Sequence, residues 1–139
     1  MTFMKLKICA FFIVFLCWSF VQNTYAQSIF DQWAELKDFH GVMSATFHPA
    51  EEGKLEPIKM RSREMEEKAN TLAKSVIPAQ FDTPAVKRAV KKLQKDSKVL
   101  NRMIKNKKAS DSEITKSLSA LHDVFHEIVG LCKNEKDKN

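Results

Sequence analysis

Apolar residues recur at alternating steps of three and four in four segments of this 139-residue chain. This spacing places the side chains of each segment on one face of an α-helix, and no alternation typical of β-strands stands out. The four stripes are Trp33, Leu36, His40, Met43 and Phe47; Ile58, Ser62, Met65, Ala69, Leu72 and Val76; Val86, Val90, Leu93, Ser97, Leu100 and Ile104; and Ile114, Leu118, Leu121, Phe125, Ile128 and Cys132. Four such stripes predict four helices that pack against one another.

Helix-start signals stand before three of the four segments. Pro57 falls in the first turn of the second predicted helix, and Thr83 followed by Pro84 forms a cap for the third. The segment from Ser110 to Glu113 has the pattern of a capping box before the fourth. Because the connections are short, consecutive helices should run antiparallel. The expected fold is all-α, an antiparallel up-down-up-down four-helix bundle.

The N-terminus has the pattern of a secretory signal peptide. Lys5 and Lys7 precede an apolar run over 8–20, and Ala26 supplies the small residue before a cleavage point. The run is about 13 residues long, shorter than the roughly 20 that span a bilayer, although an uncleaved membrane anchor is the alternative. We therefore expect residues 1–26 to be a signal peptide and the protein to be exported.

Export would leave the bundle domain at 27–132 and a disordered, charged tail at 133–139. The compartment would be the periplasm in a Gram-negative bacterium and the exterior otherwise. Removal of the signal lowers the net charge from +6 to +4, because it takes two lysines and no acidic residue. Cys132 is then the one cysteine left, so no internal disulfide is available. Stability must come from the core, from a bound cofactor or from association, for which a homodimer is one form.

The four histidines fall in two places, His40 and His48 in the first half and His122 and His126 in the last predicted helix. The second pair has the spacing H-x-x-x-H, which puts two imidazoles on one helix face within reach of one ion. His40 interrupts the first apolar stripe, where a polar group needs a partner. These are the candidate ligands of the chain.

Helix rise places four polar residues at a similar height in the bundle. Counted from the end where the first helix finishes, His40, Ser62, Ser97 and His122 lie about 10–16 Å down. The sequence therefore predicts a metal site in the bundle core formed by His40, His122 and His126. Three imidazoles suit Zn, Cu or Ni. A buried histidine bonded to a serine is the alternative that needs no cofactor.

Other residues near this layer have simpler interpretations. Ser44 and Asp123 could orient the ligands through hydrogen bonds. His48 is eight residues beyond His40, about 12 Å along a helix, so the two cannot share one ion. It precedes Pro49 and is interpreted as a loop residue, with a surface site beside Glu51 or Glu52 as the alternative. Cys132 is interpreted as a small buried hydrophobic residue.

No pattern in the chain is typical of an enzyme. It has no nucleophile motif, no glycine-rich phosphate loop and no H-E-x-x-H sequence. The third predicted helix carries a basic face opposite its apolar stripe. This face consists of Lys87, Lys91, Lys95, Lys98, Arg102 and Lys105. It is most simply solvated, but it could bind an acidic protein partner or anionic lipid. Nucleic acid is not an expected partner of an exported chain.

Over residues 30–132 the predicted architecture resembles the cytochrome c′ and cytochrome b562 group of exported four-helix bundles. That resemblance implies haem near a histidine of the last helix. If His126 takes that place, the positions of the c′-type cysteines hold His122 and Phe125, so covalent attachment is excluded. The b562 type binds haem b through a methionine near the start of the first helix, whereas Met43 lies more than ~10 Å in height from His126. Haem b is therefore the alternative cofactor, and a cofactor-free interaction domain is the third interpretation.

Overall fold

The structure, a computed structural model, describes residues 28–136, so the predicted signal peptide lies outside the described residues. A one-turn helix opens this range, four long helices follow, and a 3-10 turn precedes the third of them. The helices are α1 (Ile29–Gln32), α2 (Ala34–Glu51), α3 (Glu56–Lys74), α4 (Pro84–Lys105) and α5 (Asp111–Lys136), and the 3-10 turn is Ala79–Phe81. The long helices pack sequentially antiparallel, which confirms the predicted all-α up-down bundle.

The predicted caps of the last two helices are present. Thr83 Oγ1 accepts a hydrogen bond of 3.2 Å from the Val86 amide, and Pro84 follows it as the first residue of α4. At the start of α5, the Ser110 amide donates to Glu113 Oε2 at 2.7 Å, and the Glu113 amide donates to Ser110 Oγ at 3.3 Å. These bonds satisfy amides that have no partner within the helix. Helix α5 then continues to Lys136, four residues beyond Cys132.

Helix α2 differs most from the prediction. It was expected to end near His48, because a proline follows, but it continues through Pro49 to Glu51. Ala50 is 5% exposed, so its burial in the core holds this last turn against the bundle. The consequence is that His48 and Glu51 lie one turn apart on a helix rather than in a loop.

The core consists largely of the predicted stripes. In α3, α4 and α5 nearly every stripe residue is buried, although Val76 lies beyond the end of α3 and is exposed. In α2 the buried face is rotated: Phe39, Val42 and Thr46 are buried, whereas His40 and Phe47 are only half-buried. The heptad that fills the core therefore starts one residue before the predicted one, which moves His40 to the rim of the buried face.

The bundle closes unevenly. Helix α2 contacts α3, α3 contacts α4 and α4 contacts α5 closely along their lengths, but α2 and α5 make far fewer contacts with each other. Phe30 of α1 packs into the space between them and stacks near Phe125 of α5, with ring centroids 6.3 Å apart. No helix within residues 28–136 is both long and apolar enough to cross a membrane.

Candidate metal site at the histidine seam

Aromatic and imidazole rings line the loosely packed boundary between α2 and α5. We call this boundary the histidine seam, and it consists of His40, Phe47, His48, His122, Phe125 and His126. It contains all four histidines of the chain. Two helices that are distant in sequence supply them, so the fold gathers the imidazoles on one side of the bundle.

His122 and His126 form a hydrogen-bonded pair of histidines in the seam. Their Nε2 atoms are 3.1 Å apart, and their rings meet edge to face with centroids 4.4 Å apart. This separation is that of a hydrogen bond, in which one Nε2–H donates to the other Nε2. Two imidazole nitrogens bound to one tetrahedral zinc ion at 2.0–2.1 Å lie about 3.3 Å apart. The pair therefore has the separation that a shared ion requires.

The surroundings of His122 favour its neutral form. Its ring stacks on Phe47 at a centroid distance of 3.7 Å. Burial is the main cause that lowers the pKa of His122 below its usual value, and His126 and His48 lower it further. Asp123 and Glu51 act in the opposite direction. A neutral imidazole has a lone pair to donate, so this shift favours metal binding near neutral pH.

His48 and Glu51 lie at the end of α2 beside this pair. His48 Nδ1 is 3.1 Å from Glu51 Oε2, and both side chains are more than half exposed. If Nδ1–H donates to the carboxylate, Nε2 is left as an acceptor, which is the tautomer that a metal ligand needs. Both groups are near enough to act electrostatically on the pKa of His122, and Phe47, the neighbour of His48, stacks on the His122 ring. The prediction of His48 as a loop residue is wrong, since it is helical.

His40 lies in the same seam but in a separate ring cluster. Its imidazole stacks on Phe30 at 4.9 Å and on Phe125 at 5.2 Å, measured between ring centroids. Phe125 in turn meets His126 edge to face at 5.8 Å. Across residues 28–134, no three His, Cys, Asp or Glu side chains are grouped closely enough to hold a metal ion. The structure thus brings together His122 and His126 of the predicted triad and leaves His40 with its aromatic neighbours.

The serines of the predicted polar layer are buried in a different part of the bundle. Ser62 Oγ donates to Asn101 Oδ1 at 3.0 Å, and the Asn101 amide nitrogen donates to the Glu66 carboxylate. Ser97 is fully buried, and its hydroxyl has no hydrogen-bond partner among the residues that the structure describes. These groups sit on α3 and α4, away from the histidines, so the layer divides into a buried polar cluster and an accessible seam.

Cys132 and the basic face of α4 lie apart from the histidine seam. Cys132 is completely buried in the core at the end of α5, as expected for a small hydrophobic residue. All six residues of the basic face on α4 are exposed. The sequence analysis does not identify Asn101 as a buried polar residue. It directly follows Leu100 of the apolar stripe of α4, and this position indicates that it lies near the core.

Comparisons of the chain with protein-family models, with curated proteins and with solved structures give no match. The candidate site is therefore supported by the geometry of its own residues.

Proposed function

We propose that the protein is exported and binds one transition-metal ion through Nε2 of His122 and Nε2 of His126. The observation that carries the proposal is the 3.1 Å separation of these two atoms. An i, i+4 pair on a helix is held in register by the backbone, so two ligands are in place before the ion arrives. The lowered pKa of His122 adds a neutral nitrogen at physiological pH.

The best third ligand is His48, with Glu51 as the carboxylate that orients it. His48 and Glu51 are exposed on the helix opposite His122 and act electrostatically on it, so the proposal requires a rotation of the His48 side chain toward the pair. Water would complete the coordination. Such ligands suit Zn, Cu or Ni. Because the site is open to solvent, its ion would exchange, which fits delivery, resistance, storage or sensing better than a purely structural role.

Calorimetric titration with Zn²⁺, Cu²⁺ and Ni²⁺ tests the proposal. The chain should be purified without a histidine tag and stripped with a chelator. We expect one equivalent to bind. His122→Ala and His126→Ala should each weaken metal binding by at least about tenfold. Removing a residue that only orients a metal ligand already weakens affinity about tenfold or more, and removing the ligand itself should weaken it at least as much.

Two variants distinguish the proposed ligand set from its alternatives. His48→Ala should also weaken binding, whereas His40→Ala removes a histidine of the same seam and should change affinity by less than about twofold. Equal, small effects from all four variants would contradict the site. A strong loss in His40→Ala with none in His48→Ala would favour the original triad of His40, His122 and His126. A Soret band in the isolated protein would point to haem b.

A further inference from the structure

A second candidate site lies where α3 begins, α4 ends and α5 begins. It is an open cavity of about 610 Å³, and it shares no residue with the histidine seam. This volume is in the range of small-molecule sites in proteins. The residues that matter to its chemistry are the apolar group Met60, Met103, Ile104 and Ile114 and the basic group Lys59, Arg63, Lys105 and Lys107.

The apolar part of the cavity is unusually accessible. Met60 is 83% exposed, although a methionine of this size normally gains from burial. It lies beside Met103 and Ile104 of α4 in the cavity lining. Methionine side chains are flexible and polarisable, so they adapt to ligands of irregular shape. An apolar chain would find a surface here that the protein does not cover itself.

The polar part of the lining is strongly cationic. Four of its side chains are basic and one, Asp111, is acidic. Lys59 Nζ pairs with Asp111 Oδ1 at 2.7 Å, and Arg63 pairs with Glu67. Within residues 28–134, Lys105 and Lys107 make no ion pair. Lys105 and Lys107 are therefore two lysines of the lining whose charge no carboxylate within residues 28–134 neutralises, and both are available to an anion.

The backbone at Lys107 supports a role for its side chain. Lys107 has φ of +50°, the left-handed conformation, one residue after the C-cap of α4, Asn106. This position usually holds glycine, because a side chain there is strained. Strained residues of this kind are concentrated at ligand-binding sites. A lysine in this conformation is less stable than a glycine would be, and Lys107 is one of the residues that line the cavity.

We propose that this cavity binds a fatty acid, with its acyl chain against Met60, Met103 and Ile104 and its carboxylate at Lys105 and Lys107. The apolar lining would contact the acyl chain, and the two lysines without an ion pair would attract the carboxylate. The left-handed conformation of Lys107 is the strain that such a ligand would explain. This site is independent of the metal site.

Methionine-methyl NMR tests the proposal on the exported chain. Decanoate is the probe. Decanol, which lacks the carboxylate, and acetate, which lacks the long acyl chain, are the controls, and all three are used below the concentrations at which micelles form. Decanoate should shift the methyl signals of Met60 and Met103 in a saturable way and leave the core residues Met43 and Met65 unchanged. Decanol and acetate should each bind at least about fivefold more weakly, because each lacks one half of the interaction.

The variant Lys107→Gly separates binding from folding. It relieves the left-handed strain, so the midpoint of thermal unfolding should stay the same or rise. Its affinity for decanoate should fall about threefold, since an ion pair at a solvent-exposed site is lost. Lys108→Gly removes the same charge from the same loop and should change affinity by less than about twofold. The proposal is overturned if decanol binds as tightly as decanoate, if Lys107→Gly binds normally, or if all four methionines shift together.

Discussion

Polar residues interrupt the apolar stripes in two regions of this bundle, and the two regions differ in how those residues are satisfied. Between α3 and α4, Ser62, Asn101 and Glu66 form a hydrogen-bonded cluster in which Ser62 and Asn101 are buried. In the histidine seam between α2 and α5, imidazoles bond to each other or stack on aromatic rings, and they stay at least partly accessible. In the first cluster the polar atoms already bond to one another, although Ser62 and Asn101 also line the open cavity described above, whereas the second cluster has imidazole nitrogens that solvent can reach.

The difference comes from how tightly the helices pack. Helices α3 and α4 pack closely, so a polar side chain buried between them must find a protein partner or lose stability. Helices α2 and α5 meet loosely, with rings filling the space. A polar group in the loose boundary can use water or an ion instead. The comparison predicts that polar substitutions affect stability in the first region and ligand binding in the second.

Asn101→Ala should produce the largest loss of stability among the polar substitutions. It leaves the Ser62 hydroxyl and the Glu66 carboxylate without their common partner, which costs about 2 kcal/mol because Ser62 is buried and Glu66 is partly buried. His126→Ala should cost less than about 0.5 kcal/mol, because the His126 side chain is exposed. Urea unfolding of both variants measures the difference. Equal losses would show that the seam is structural.

The two buried serines provide a matched pair for the next test. Ser97→Ala should raise the free energy of unfolding by up to about 1 kcal/mol, because it removes a buried hydroxyl without a hydrogen-bond partner. Ser62→Ala should lower it by about 1 kcal/mol, because Ser62 donates to Asn101. Chemical denaturation of both variants gives the signs directly. A loss of stability in Ser97→Ala would mean that its hydroxyl is bonded.

The smallest expected effect is on the pH dependence of the free energy of unfolding, measured without metal. It comes from His122 in the histidine seam. Burial lowers the pKa of His122 in the folded protein, whereas in the unfolded chain the same imidazole has the ordinary histidine pKa of about 6.5. The unfolded state therefore binds more protons below that pH, so stability is complete above about pH 6.5 and declines as the pH falls through the folded pKa. Denaturation between pH 5 and pH 8 with a chelator present measures the slope. His122→Phe keeps a ring against Phe47 and should flatten it.

The sequence was sufficient for the fold because its signals are local and repeated. The stripes of α3, α4 and α5 predict the buried residues well, and the caps at Thr83 and Ser110 predict where two helices start. The register of α2 was less certain, because Phe39 and His40 are adjacent and either could continue a heptad. Burial of Phe39 selects one of them, and only the packed bundle determines that choice.

The candidate site was predictable in part for the same reason. The i, i+4 spacing of His122 and His126 is local, and the structure gives their Nε2 atoms a separation of 3.1 Å. The position of His40 depends on the register of α2, which the sequence predicts one residue off. In the structure His40 therefore stacks on Phe30 and Phe125 instead of reaching His122 and His126. His48 was assigned to a loop because Pro49 follows, although burial of Ala50 keeps the helix intact.

The most direct test of the central claim, that the histidine seam binds a metal ion, is elemental analysis together with an absorption spectrum. The protein should be purified without a tag from its native compartment and analysed before and after dialysis against Zn²⁺. A metal site at the seam should give about one equivalent of Zn, Cu or Ni per chain, no Soret band, and loss of the ion in His122→Ala. Less than about one tenth of an equivalent in both samples, or a Soret band, would contradict it.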